Sequence, residues 1–143
     1  MDYWYDNNNE YTYREVVLCM LHLTDLFEVD SPILVKQSID IARSFWENYY
    51  PGEYNPVDEI NAQYKILKKE ANGITLFDNK KLTKEVLQLL AVTMLCKPYD
   101  EKHKDDNFDT FEYFLACLNK LGCYKTEINQ IIYSDLNWDI HYE

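Results

Sequence analysis

Three glycines, four prolines and three histidines are few for 143 residues, and each scarcity closes off a chemistry. A Gly-rich phosphate loop and a GxSxG nucleophile elbow both need glycines at fixed spacing, and neither is present. So little glycine and proline also disfavours a turn-rich β sandwich and favours helices joined by short connections. His22, His103 and His141 lie far apart, with no HExxH and no Cys, Asp or Glu at metal-ligand spacing, so no metal and no cofactor is expected. The four cysteines, Cys19, Cys96, Cys117 and Cys123, form no CxxC pair. The opening MDYWYDNNNEY has neither the basic start nor the long apolar run of a secretory signal, and no lipidation motif ends the chain. A cytoplasmic protein with free, mostly structural thiols is the expectation.

What the chain does contain is one stretch apolar in every direction. Nine of the eleven residues from Val86 to Cys96 are apolar, and they surround a helix rather than striping it. Such a helix is normally buried. Thr83 is placed to cap it, Glu85 to sit in its positive first turn, and Pro98 to stop it. It is far shorter than the roughly 20 apolar residues of a membrane span. Residues 83–97 are therefore predicted to be the central helix of an all-α, single-domain bundle of about six helices spanning residues 1–143.

The other five helices follow from stripes and punctuation. Thr12 and Glu15 have capping-box spacing and open a helix predicted to reach Phe27. Ser31 as capping hydroxyl and Pro32 at the first helical position open a second, stopped by Pro51-Gly52. Asn55-Pro56 opens a third, with the narrow stripe Ile60, Tyr64, Leu67 and Ala71 inside, Lys65, Lys68 and Lys69 outside, and Asn72-Gly73 at its end. Residues 98–109 are charged and aperiodic, and are predicted to be the longest loop. Asp109-x-x-Glu112 then starts a helix closed by Gly122, and Thr126 opens the last. Residues 1–11 read as a loosely held arm, whose Tyr3, Trp4 and Tyr5 either pack back onto the body or form an exposed contact. The run Ile74–Phe77 reads as a solitary extended piece, and the short tail from Asn137 as lying against the body.

Charge is the most informative total. The net is -11, and it is uneven: residues 1–30 carry seven acids against one base, residues 31–98 eight against nine, and residues 99–143 ten against four. Such a protein repels nucleic acid and anionic membranes and is steered toward a basic partner, although acidic surfaces also serve plain solubility. No catalytic residue stands out. Cys96 or Cys117 with His22 or His103 would be the thiol pair to consider, but both cysteines look core-facing, and buried thiols are inert. The loop Asp100–Asp109 lacks the alternating acids, central glycine and closing glutamate of an EF-hand. The adjacent acids Asp58–Glu59 and Asp105–Asp106 read as solvated pairs.

Thirteen tyrosines remain, five of them (Tyr99, Tyr113, Tyr124, Tyr133 and Tyr142) in or near the acidic last third. Tyrosine joins large contact area to low entropic cost, and acids add fast, selective association. The residues expected to bind a partner are Tyr99, Asp100, Glu101, Asp105 and Asp106, then Glu112 and Asp135.

A small, acidic, helical chain rich in Tyr, Asn and Asp and without an active-site motif is similar to the immunity proteins of bacterial toxin systems, including contact-dependent growth inhibition. That resemblance implies a monomeric inhibitor that binds and neutralises a cognate basic toxin domain, often a nuclease, without touching nucleic acid or membrane itself. It carries over no individual residue. The alternative is a nucleic-acid mimic or a viral helical decoy of the Bcl-2 type; Asn137-Trp138-Asp139 is only a fragment of that family's Asn-Trp-Gly-Arg signature. A mimic would bind several unrelated DNA-binding proteins, an immunity protein one.

Overall fold

Local capping chemistry sets most helix ends, and packing around one buried helix sets the rest. The computed structural model describes residues 3–6, 12–50, 52–77, 82–98 and 104–142, with side-chain environments for those between 12 and 98 and for 109–138. Thr12 accepts from the Glu15 backbone N–H at 3.3 Å and opens α1, Tyr13–Leu23. The regular helix stops short of Phe27. The Thr24 hydroxyl turns back onto the Leu21 carbonyl, and the chain tightens into two 3-10 turns, Thr24–Leu26 and Glu28–Asp30.

The start of α2, Ile33–Glu47, differs from the reading above in one detail. Ser31 does not cap it: its hydroxyl donates backward to the Phe27 carbonyl at 2.7 Å, and Pro32 takes the cap position. The other end of α2 is closed from α1. Arg14 donates through Nε to the Trp46 carbonyl at 2.8 Å and through Nη2 to the Glu47 carbonyl at 3.1 Å, satisfying two of the carbonyls a helix end leaves open.

The third helix, α3, is Asp58–Ala71, and it ends where Asn72 adopts a left-handed conformation at φ 43°. Ile60, Leu67 and Ala71 are buried as the stripe requires, and Gln63 joins them. Its amide donates to the Ser38 hydroxyl at 2.7 Å, which donates in turn to the Leu34 carbonyl at 2.8 Å. A buried polar side chain is tolerable because this chain satisfies it.

The central helix α4 is Lys84–Leu95, with Thr83 accepting from the Val86 N–H at 3.3 Å. Leu87, Leu90, Ala91, Val92 and Leu95 are buried, and each full leucine is worth about 1.5–3 kcal/mol. It packs against α2, α3 and most extensively α5, which is Lys104–Leu121. The indole N–H of Trp46 in α2 donates to the Leu95 carbonyl at 2.9 Å, tying two helix ends together inside the core.

The charged segment read as a loop to residue 109 is helical from Lys104. Asp105 and Asp106 fall in the first turn of α5, where carboxylates are favoured by the positive end of the helix dipole. Asp109-x-x-Glu112 consequently lies inside the helix rather than at its start. At the far end Gly122, φ 87°, closes a Schellman motif: Cys123 N–H reaches the Leu118 carbonyl at 3.2 Å, and Gly122 N–H that of Asn119 at 3.1 Å.

The last helix, α6, is Lys125–Leu136 and packs on α1. After Asn137, also left-handed at φ 55°, Trp138 is fully buried edge-on to Phe111 of α5. The chain then forms β2, Asp139–Tyr142, antiparallel to β1, Tyr3–Asp6, with Tyr3 opposite Tyr142 and Asp6 opposite Asp139. The arm and the tail are thus paired in one two-stranded ribbon on an otherwise all-α bundle. A ribbon of two strands is marginal alone, and buried Trp138 anchors the one end of it that emerges from α6. The Ile74–Phe77 run makes no strand. Leu76 is buried there, its N–H donating to the Tyr113 hydroxyl at 3.2 Å and its carbonyl accepting from Lys120 at 2.9 Å. Among the described residues no helix is long and apolar enough to cross a membrane.

Candidate interaction surface

The connection between α2 and α3 builds a recess against the end of α4. Its floor is Phe45, Trp46 and Ile60, its rim Tyr49, Glu53, Tyr54 and Val57, and its far wall Cys96, Lys97 and Pro98. The recess holds about 420 Å³. A second of about 300 Å³ adjoins it, shares Phe45, Asn55 and Ile60, and adds Glu59 and Asn48. The aromatic floor is itself a stack: Trp46 lies edge-on to Phe45 at 4.9 Å and tilted against Tyr49 at 5.2 Å. Trp46 is buried, Tyr49 half-buried and Tyr54 90% exposed, so the rings grade outward from core to solvent.

Asn55 makes the rim rigid. Its side-chain oxygen accepts from the Tyr50 N–H, and its amide donates to the Tyr50 and Glu53 carbonyls, each at 3.0 Å. Such an asparagine-closed turn fixes its own backbone. Gly52, at φ 83°, supplies the positive dihedral within it. Tyr50 and Val57 are also exposed, so three large apolar side chains project from one short pinned segment. Among the described residues Glu53 and Glu59 form no ion pair, and the recess's one cation, Lys97, is directed to the Thr110 hydroxyl at 3.3 Å.

The residues nominated from sequence are distributed differently. Tyr99, Asp100 and Glu101 lie outside the described residues; they follow directly on Pro98, the last residue of the recess wall. Asp105 and Asp106 are in the first turn of α5, and Glu112 lies further along the same helix, half-buried. Burial, reinforced by the Asp109 carboxylate, raises the Glu112 carboxyl above its ordinary range.

Asp135 is not gathered with these acids. It sits in the last turn of α6 against α1, its carboxylate 2.9 Å from His22 Nδ1 and close enough to Cys19 to act on its thiol. The Cys19–His22–Asp135 group joins residues 113 positions apart in the case of His22 and Asp135, and no local pattern in the chain announces it. Its chemistry is structural. Burial first, and then the facing carboxylate, push the Cys19 thiol far up, so the nucleophilic thiolate is suppressed. Burial likewise pushes Cys96 and Cys117 up to about 12 each. All four cysteines are free thiols, and Cys123 alone is half exposed. No cluster of metal-ligating side chains occurs among the described residues.

Sequence reasoning did not single out Glu53 or Tyr54, and it read Glu59 only as a solvated neighbour of Asp58. The signal was there in Tyr49-Tyr50-Pro51-Gly52-Glu53-Tyr54-Asn55-Pro56, three tyrosines set among turn residues, which reads first as helix punctuation. Comparison of the chain with family models, curated proteins and solved structures finds no match.

Proposed function

We propose that the protein is a cytoplasmic, monomeric immunity-type inhibitor, which binds a cognate basic toxin domain, a nuclease, and neutralises it. The observation that carries this reading is the gathering of acids at the start of α5, with Asp105, Asp106, Asp109 and Glu112 inside nine residues of a segment whose net charge is -6. Glu112 is raised first by burial and then by the Asp109 carboxylate, and an approaching cation would relieve that second contribution. Tyr99, Asp100 and Glu101 precede this helix and extend the same acidic stretch in sequence. Carboxylates arrayed in this way suit the lysines and arginines with which a nuclease holds phosphates.

Capture from the protein's own cell lysate, at low and at moderate salt, tests the reading. One basic protein retained at moderate salt, with a nuclease activity that the captured complex has lost, is the expected result. Many basic proteins released together as salt rises would show charge without specificity and would end the proposal. Stable retention of several unrelated DNA-binding proteins would instead identify a nucleic-acid mimic.

A further inference from the structure

The acids of α5 are not the only place a basic partner can be held, and the recess between α2 and α3 has the more specific chemistry. We infer that the paired recesses take an arginine side chain of the basic partner, with the Tyr54 ring as its stacking face, Glu53 of the same recess as its first acceptor and Glu59 of the adjoining recess as its second. The inference rests on the reading of the protein as a binder of a basic partner, and it names the surface and the side chain.

Three observations converge on it. The walls are aromatic and graded outward, and Tyr54 stands 90% exposed on a turn that Asn55 holds with three hydrogen bonds, so its backbone needs no ordering and only the ring's rotamer is fixed on binding. Two carboxylates line the paired recesses, Glu53 in one and Glu59 in the other, and among the described residues they outnumber the single cation, Lys97, whose ammonium keeps its charge and is directed to the Thr110 hydroxyl. Acids beside an apolar floor are complementary to a side chain with an apolar stem and a cationic head. Between the two basic residues, arginine fits better: its planar guanidinium stacks on tyrosine and bridges carboxylates, whereas lysine offers a compact, strongly hydrated charge.

The test is an amide chemical-shift titration of the full, 15N-labelled chain with two helix-forming peptides of about 16 residues, one Arg/Leu and one Glu/Leu, at about 0.15 M salt. The Arg peptide is expected to shift residues 45–61 and 96–98, and the Glu peptide to shift none of them. Tyr54→Ala and the double variant Glu53→Lys/Glu59→Lys change exposed residues and leave the fold intact; each is expected to weaken the Arg peptide by about tenfold. Tyr54→Phe keeps the ring and is expected to keep the affinity. Asp100→Lys/Glu101→Lys is expected to weaken it by less than about threefold. Shifts centred on α5, with the recess variants binding as the wild type does, would overturn the recess as the site and leave the basic-partner reading standing. Equal response to the two peptides, or response to neither, would also overturn the inference. Failure of the basic-partner reading shows separately, as loss of the single retained nuclease in the lysate capture.

Discussion

Asp135 and Glu53 are both acids near the end of a helix, and the fold uses them in opposite ways. Asp135 faces inward between α6 and α1, held by His22 beside Cys19, and its charge is consumed in joining two helices. Glu53 sits on a turn closed by Asn55, its backbone pinned and its side chain exposed beside an aromatic recess. Acid content alone does not separate these roles; hydrogen-bond partners do. A carboxylate already satisfied within the fold has little to offer a partner, and one presented on a rigid rim has much.

The sharpest way to break the comparison is to remove the floor beneath the rim. Trp46 is buried, donates to Leu95 and supports both Phe45 and Tyr49, so Trp46→Ala is expected to cost about 3–5 kcal/mol in urea unfolding. Tyr54→Ala, on the same recess but in water, is expected to stay within about 0.5 kcal/mol. Equal losses would mean that rim and floor are one structural unit.

The next effect has the opposite sign. Gln88 on α4 is fully buried, and among the described residues neither its amide nitrogen nor its oxygen has a hydrogen-bond partner. Each such group carries a desolvation cost, so Gln88→Met, of similar volume, is expected to stabilise by about 1–3 kcal/mol. Unfolding midpoints compared at constant slope measure it. Destabilisation would show that the amide is satisfied in solution.

Smaller again is the inward acid itself. Asp135→Ala strands an imidazole donor at a site 26% exposed, and is expected to cost about 1 kcal/mol, discounted for solvent. Cys19 is buried and labels only on unfolding, so this loss of stability is expected to quicken its labelling. In the wild type Cys123, half exposed, is expected to label first, and Cys19, Cys96 and Cys117 only on unfolding. Glu53→Ala is expected to alter neither stability nor labelling.

The smallest effect separates α5 from both. The Glu112 carboxyl is raised in the folded protein, so folding favours its protonated form. Its penalty is absent below the unfolded value near 4.5 and accumulates as pH rises through the folded one. Glu112→Gln is expected to remove that loss, gaining up to about 0.5 kcal/mol at pH 7 and nothing at pH 4. A gain of equal size at both pH values would assign the effect to packing.

Much of this fold was legible because helix ends are local. Thr12 and Thr83 cap, Asn72 and Gly122 terminate, and the all-round apolar run from Val86 is the buried helix, each readable within a few residues. The start of α5 was not legible, since Lys104 to Asp109 carry no apolar period and their helix is favoured by acids at a dipole and by packing further along. The pairing of the two chain ends was equally hidden, because register between residues 3–6 and 139–142 exists only once the bundle has brought them together. The site divides the same way. A charge-rich segment shows in composition, whereas the inward turn of Asp135 and the recess under Tyr54 depend on helices distant in sequence.

The most direct measurement of the central claim is inhibition. The basic protein retained at moderate salt in the lysate capture would be purified and its cleavage of nucleic acid followed as this chain is added. Complete loss of cleavage at about one equivalent, with a sharp endpoint, is the predicted result. Undiminished cleavage at about tenfold excess of this chain would contradict it.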